Sequence, residues 1–391
     1  MSHLFSSAIR GILFALLAAI PVMTAAIPAD AQPNATSAKA AIVLDLSTGA
    51  ILLEKNADVP LPPASMSKLM TLYMIFEALE SDRIGLDDKF RTSRRASQMG
   101  GSKMFIREGE VVSIRDLLRG VIIQSGNDAA VALAEALSGT EEAFAELMTR
   151  RAREIGLRNS EFANATGWPD PRQRMSVRDL ATLAERLIEE FPKEYELFSE
   201  TEFTWDDITQ QNRNPLLGLG IGVDGLKTGH TVEAGYGLVA SAKRGGRRVI
   251  VVISGMPSSA ERRREGERLI NWAFRAFEAR TLFRRGESIA EADVWIGASD
   301  RVGLTPTEDV IVSVPYGRAA ETEVFLTFRS PIEAPIPAGE IIGKMEIRVP
   351  DLPPRILPLV AAEEVGKGGF LKRIQAAGSL LLSLAFGALG G

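Results

Sequence analysis

The sequence predicts an α+β protein: an antiparallel sheet assembled from both ends of one domain and packed with a helical insert, then a small all-β domain and a C-terminal amphipathic helix. Three observations predict this. Strand-like hairpins open and close the first two-thirds of the chain, with helical patterns between them. Short β-like runs punctuated by Gly and Pro fill residues 281–362. The last residues, 363–391, turn amphipathic. At 391 residues the chain exceeds what one small core organises, so more than one domain is expected.

The elements follow in order. Arg10 precedes the apolar run "GILFALLAAIPVMTAA", and "ADAQ" offers small residues before a cut after Ala31, so residues 1–31 read as a secretory signal peptide. The run is short and broken by Pro21, which argues against a spanning anchor. "AAIVLDLSTGAILLEKNAD" reads as two strands joined at Ser47-Thr48-Gly49. In "PPASMSKLMTLYMIFEALE", residues 62–80, two prolines stop any helix before Ala64, and the residues from Leu69 to Leu79 are apolar almost all round, as in a buried helix. Helical patterns dominate residues 84–195. "GYGLVASAKRGGRRVIVVISGM" is a hairpin about a Lys-Arg-Gly-Gly turn, and the charged helix "SAERRREGERLINWAFRAFEAR" closes a domain expected over 32–280. The tail begins with Lys372 and Arg373 and continues apolar, which predicts an anchor lying in a membrane interface, with a tilted span as the alternative.

Composition narrows the chemistry. A formal charge of −5 gives no basic footprint for nucleic acid. With no cysteine, disulfides, thiol nucleophiles and thiolate metal sites are absent together. The two histidines, His3 and His230, form no ligand cluster, and neither a metal nor an organic cofactor is expected.

Ser65 and Lys68 stand at i and i+3 at the mouth of the buried helix, on one face. A serine hydroxyl is a weak nucleophile until a base takes its proton. Lysine serves as that base when burial or a second cation lowers its pKa, and a helix N-terminus favours the same outcome. Alone, Ser-x-x-Lys is expected about once by chance in a chain of this length. Two further patterns raise its weight: Ser125-Gly126-Asn127 before a helix, and Lys227-Thr228-Gly229 in a strand. Each of the three occurs once, and they stand in the order that marks penicillin-recognising serine enzymes.

On these motifs, together with "GVIIQSGNDAAVALAE", "NRN" at 212–214, "VDGLKTGHT", "GYGLVASA" and "AGEIIGKMEI", the chain resembles the D-alanyl-D-alanine carboxypeptidases, the low-molecular-mass penicillin-binding proteins. The resemblance implies a β-lactamase/transpeptidase-like domain and a β-rich second domain. It implies that Ser65 attacks the penultimate D-alanine carbonyl, with Lys68 as general base, and Ser125 sharing that work and passing a proton to the leaving amine. Asn127 would hold the substrate backbone and Lys68; Lys227 and Thr228 would bind the terminal carboxylate, with Arg213 a weaker candidate. Lys227 would also help keep Lys68 neutral. Gly229 belongs to the same motif, and the backbone N–H groups of Ser65 and His230 would form an oxyanion hole. The implied partners are peptidoglycan stem peptides ending in D-Ala-D-Ala, β-lactam antibiotics and a membrane surface; the implied location is the periplasm, at the outer face of the cytoplasmic membrane.

Two departures stand out. The segment between Ser65 and Ser125 looks shortened near "RRASQMGGSKMF", and "GWPDPRQRMS" carries Arg172 and Arg174 where smaller residues are expected. Alternatives are a DD-endopeptidase, a slowly deacylating or non-catalytic wall-binding protein, and a class A β-lactamase. The last needs a Glu-x-x-x-Asn arrangement that "EFANATGWPDPRQRMS" lacks.

Overall fold

A computed structural model describes residues 36–370 and residue 374. The expected signal peptide and most of the amphipathic tail expected over 363–391 lie outside the described residues.

Five strands form the central antiparallel sheet in the spatial order 50–55, 40–45, 247–256, 235–244, 223–231. Ala40–Asp45 runs beside Arg247–Met256, with Ala40 opposite Ser254 and Asp45 opposite Val249, so segments two hundred residues apart close one sheet. The expected hairpins are both present, with turns at Leu46–Gly49 and Gly245–Gly246.

Period-two alternation sorts the side chains between the faces. Ile42, Val239, Ile250 and Val252 enter the larger core beneath the helical insert. Val43, Ala240, Val251 and Ile253 face the other way, onto Leu269, Ile270 and Ala273 of the helix Ser259–Ala276. Helices cover both faces, which is why the inner strands read as continuous apolar runs rather than as alternation.

The helix Lys68–Glu80 runs through the larger core and buries every residue from Lys68 to Phe76. Each of Leu69, Leu72, Ile75 and Phe76 gives up essentially all its exposure, worth about 1.5–3 kcal/mol per side chain. This is ample anchorage for the first turn, where the chemistry is expected.

One element differs from expectation. The charged helix ends at Ala276, and "FEAR" belongs instead to the strand Phe277–Phe283, which pairs with Val310–Pro315. A non-local partner and the edge-on packing of Phe277 against Trp272 (centroids 5.3 Å apart) override a locally helical composition. Further on, residues 290–361 build a six-stranded sheet without an α-helix, as expected.

The β-rich region is fastened to the central sheet by a buried polar cluster. The Asp45 carboxylate accepts from Arg247 Nε (2.7 Å) and from Ser313 Oγ (2.6 Å), while Ser313 Oγ lies 2.7 Å from Thr48 Oγ1. Arg355 Nη1 donates to the Thr48 carbonyl at 2.9 Å. Asp45 is fully buried, and these partners are what make its charge tolerable there.

Candidate active site

Pro62 and Pro63 keep the chain out of helix until Ala64, whose φ of 47° is unusual for a residue with a Cβ. A 3₁₀ turn, Ala64–Ser67, then carries Ser65 and leads into the α-helix at Lys68. Ser65 is half-buried, whereas Lys68 is completely buried.

Lys68 Nζ donates to Ser65 Oγ at 3.0 Å, to Asn127 Oδ1 at 2.7 Å and to the Thr166 carbonyl at 2.5 Å. Three acceptors match the three donors of an ammonium. They equally match a neutral amine that donates twice and turns its lone pair to the serine hydroxyl. Burial favours the second state: it lowers the Lys68 pKa to about 7, against the opposing charges of Asp128 and Glu141.

Both carboxylates are already engaged. Asp128 accepts backbone N–H bonds from Met104 and Phe105, each 2.8 Å, and so ties down the 100–106 segment beside the site. Glu141, 2 % exposed, accepts from Arg95 (2.6 Å) and from the Ala165 amide (3.2 Å).

Ser125 precedes the helix Asn127–Ser138 and has φ 61°, a second non-glycine residue in the left-handed region. Its hydroxyl accepts from Lys227 Nζ at 2.9 Å. Lys227 projects from the strand Val223–Thr231, is 1 % exposed, and also donates to the Thr228 carbonyl at 3.1 Å. Burial, then the like charges of Lys68, Arg262 and Arg213, hold its pKa well below the usual lysine range. Repulsion between the two lysines is mutual, but Lys68 has carboxylates within reach and Lys227 faces only cations. Burial is the first cause of the depression at each lysine, and the positive charge of the one opposes that of the other.

Gly229 lets the Lys227 strand lie against the serine turn: a Cβ there would stand 2.8 Å from the Pro63 carbonyl oxygen and 3.1 Å from the Met66 nitrogen. His230 is exposed, with its ring stacked on Tyr236 at 3.9 Å between centroids, so the ring serves the surface rather than the serine. Arg213 is exposed too, but its charge reaches Lys227. Seven of the nine candidate residues thus gather around two lysine-centred clusters, and the side chains of His230 and Arg213 stand at the exposed edge.

Sequence reasoning missed the loop that closes the site from the other side. Asn164 Oδ1 accepts the backbone N–H groups of Thr166 (3.1 Å), Gly167 (2.8 Å) and Trp168 (3.0 Å), an Asx-type fold that aims the Thr166 carbonyl at Lys68. Gly167 (φ 80°) rides directly on Ala64; a Cβ there would overlap the Ala64 carbonyl and lie 2.7 Å from Ser67 Oγ. Gly167→Ala is expected to push the loop off the serine turn. It should lower stability by about 2–4 kcal/mol and slow acylation by at least about tenfold, read by denaturant melts and penicillin labelling.

Comparison with known proteins now bears on this geometry. Residues 27–258 match the D-alanyl-D-alanine carboxypeptidase family, and residues 277–367 match the penicillin-binding protein 5 C-terminal domain. The chain belongs to the D-alanyl-D-alanine carboxypeptidase family. Among its relatives within that family, the D-alanyl-D-alanine carboxypeptidase DacC of Escherichia coli (strain K12) is 38% identical over 351 residues, 88% of each chain. Penicillin binding protein 5 from Haemophilus influenzae superposes with a TM-score of 0.78 at 36% identity, over 84% of this chain and 98% of that one. Penicillin-Binding Protein D2 from Listeria monocytogenes, solved in an ampicillin-bound form, superposes with a TM-score of 0.56 at 33% identity, over 61% of this chain and 97% of that one. The family fold, a sheet-and-helix domain followed by an all-β domain, is the architecture described above.

Proposed function

We propose that this carboxypeptidase-family chain removes the terminal D-alanine from peptidoglycan stem peptides through an acyl-enzyme on Ser65, and that β-lactams acylate the same serine. The observation that carries the reading is the Ser65–Lys68 contact of 3.0 Å with a lysine whose burial leaves about half of it neutral near pH 7.

Ser65 Oγ attacks the carbonyl carbon of the penultimate residue while its proton passes to Lys68 Nζ. The Ser65 and His230 backbone N–H groups receive the developing oxyanion. The C–N bond then breaks, a proton moves to the leaving nitrogen through Lys68 or Ser125, and free D-alanine departs. The hydrogen bond that Ser125 Oγ accepts from Lys227 Nζ supports the proton-passing role. Water then gives a proton to Lys68 as its oxygen adds to the acyl carbon, the C–Oγ bond breaks, and Lys68 returns that proton to Ser65 Oγ.

Lys227, surrounded by cations, favours an incoming carboxylate, which would restore its full charge. Thr228 and Arg213 would share that carboxylate. Asn127 Nδ2 already donates to the Gly100 carbonyl at 2.7 Å, which leaves one N–H for the substrate backbone.

A β-lactamase reading is disfavoured, because the two carboxylates whose charge reaches Lys68 are tied into backbone and arginine contacts rather than free to activate water. The endopeptidase alternative is separated by substrate. The chain is expected to release D-alanine from a D-Ala-D-Ala pentapeptide and to leave a crosslinked dimeric peptide at least about tenfold less cleaved. The reverse preference, seen by chromatography, would replace this reading.

Export and membrane attachment belong to the same proposal. The signal-like residues 1–31 support export to the periplasm. No helix among the described residues is long and apolar enough to cross a membrane. Phe370, 78% exposed, and Ile374, 53% exposed, open the amphipathic segment with apolar side chains facing solvent, as an interfacial helix requires. Full-length chain should float with anionic vesicles and a chain ending at Gly366 should not; equal flotation would remove the anchor.

A further inference from the structure

Two of the three acceptors of Lys68 depend on neighbours for their placement. Asn127, which accepts from Lys68 at 2.7 Å, is steadied through its Nδ2 by the Gly100 carbonyl, in the segment that follows the short helix Arg94–Gln98. Thr166, whose carbonyl is the closest acceptor, follows Ala165, and both backbone groups of Ala165 are held. Its carbonyl accepts from Thr71 Oγ1 at 2.7 Å, and its amide donates to Glu141 Oε1 at 3.2 Å. The other oxygen of Glu141 accepts from Arg95 Nη2 at 2.6 Å and from Arg95 Nε at 3.2 Å. One carboxylate therefore fastens the helix Arg94–Gln98 to the loop that presents Thr166.

The charge of this carboxylate matters as much as its reach. Glu141 opens the helix Glu141–Glu154 and is 2 % exposed, whereas the Arg95 side chain is 54% exposed. A buried carboxylate is tolerated only with a cation or strong donors beside it. Arg95 is in contact with it, and Lys68 lies within range of its charge. The remaining charges nearby are acidic. Glu142, on the same helix, lies 3.7 Å from Arg95; Glu135 projects from the helix Asn127–Ser138, and Asp128 of that helix is bound to the 104–106 amides. Two cations thus share one buried carboxylate, and one of them must be neutral to take the serine proton. The more firmly Arg95 holds Glu141, the less that carboxylate favours an ammonium at Lys68.

We propose that Arg95 and Glu141 are positioning residues for the base: Glu141 sets the loop that presents Thr166 to Lys68, and Arg95 engages the Glu141 charge so that Lys68 is left to work as a neutral amine. The inference rests on the reading of Ser65 and Lys68 as nucleophile and base, and deepens it. Arg95 stands in "RRASQMGGSKMF", one of the two stretches that depart from expectation in the sequence, and it acquires a role here. Without Arg95, the buried carboxylate would draw its balancing charge from Lys68, and the base would be released only at higher pH. With glutamine at 141, the Ala165 amide keeps an acceptor while the charge is gone, so the base would be released at lower pH. The two changes act in opposite directions on one titration, which a simple loss of packing does not do.

The test follows the rate of acylation of the full chain by benzylpenicillin across about pH 5.5 to 9, for wild type, Arg95→Gln, Glu141→Gln and the double variant. The midpoint of the rising limb, about 7 in the wild type, should move up by about half a unit or more in Arg95→Gln and down by a similar amount in Glu141→Gln. At pH 7 the Arg95→Gln rate should then be about half the wild-type rate or less, with the difference closing on the plateau. The double variant should follow Glu141→Gln, because Arg95 acts through that carboxylate. A midpoint does not depend on how much of the preparation is folded. An unmoved midpoint in either single variant, shifts of the same sign, or a double variant that follows Arg95→Gln overturns the inference while leaving the Ser65–Lys68 reading intact. Wild-type labelling without a limb near pH 7 would instead remove the neutral-lysine reading, and this inference with it.

Discussion

Ser65→Ala is expected to abolish D-alanine release and penicillin labelling together, with a fall of about five to six orders of magnitude in kcat, as for removal of a nucleophile from a preassembled site. Both activities depend on one oxygen. Ser65 is half-buried on a 3₁₀ turn held by the helix behind it, by Gly229 on one side and by Gly167 on the other. Deleting a half-buried hydroxyl disturbs little packing, so the melting temperature should stay within a few degrees of wild type. Loss of activity with an unchanged melt is the expected signature. Retained labelling of Ser65→Ala would mean that another group is acylated.

The second large effect belongs to Lys68. As the base it must be neutral, and a folded pKa of about 7 leaves most of it so at pH 7.5, whereas a lysine at its ordinary 10.5 would be neutral in about one molecule per thousand. The acylation rate of the wild type should therefore rise with pH through about 7 and then level, since deprotonation creates the active form. Lys68→Ala should lower acylation by about a thousandfold or more and remove that limb. A residual rate that still titrates near pH 7 would assign the base elsewhere, with Ser125 and its Lys227 partner the first place to look. The same shift has a consequence for stability. Between about pH 7 and 10.5 the unfolded chain holds a proton that folded Lys68 has released, so the contribution of this group to stability rises with pH across that window.

Much of this site was legible in the sequence because its chemistry resides in side chains at fixed spacing. Ser65 and Lys68 lie one turn apart, and Lys227 and Gly229 alternate along a strand, so periodicity alone sets them near one another. The paired hairpins announced the sheet for the same reason. What was hidden is carried by backbone or by distant pairing. The third acceptor of Lys68 is a carbonyl, that of Thr166, and a carbonyl has no residue type to read; the signal was Asn164 three residues before a glycine, in a loop that looked merely divergent. Asp128 was passed over as one more helix residue, yet it fastens the 100–106 segment through three amides, including Ile106 at 3.3 Å. The extension of the charged helix into "FEAR" failed because nothing local distinguishes Phe277–Phe283 from helix, and its strand partner lies some thirty residues on.

The central claim is that Ser65 is the residue acylated. Its most direct test is peptide mapping by mass spectrometry of the chain after brief exposure to benzylpenicillin and acid quench. A single penicilloyl adduct on the peptide containing Ser65, localised to that residue by fragmentation, is the expected result. An adduct on Ser67 or Ser125, or stoichiometric labelling absent under conditions where D-alanine is released, would contradict it.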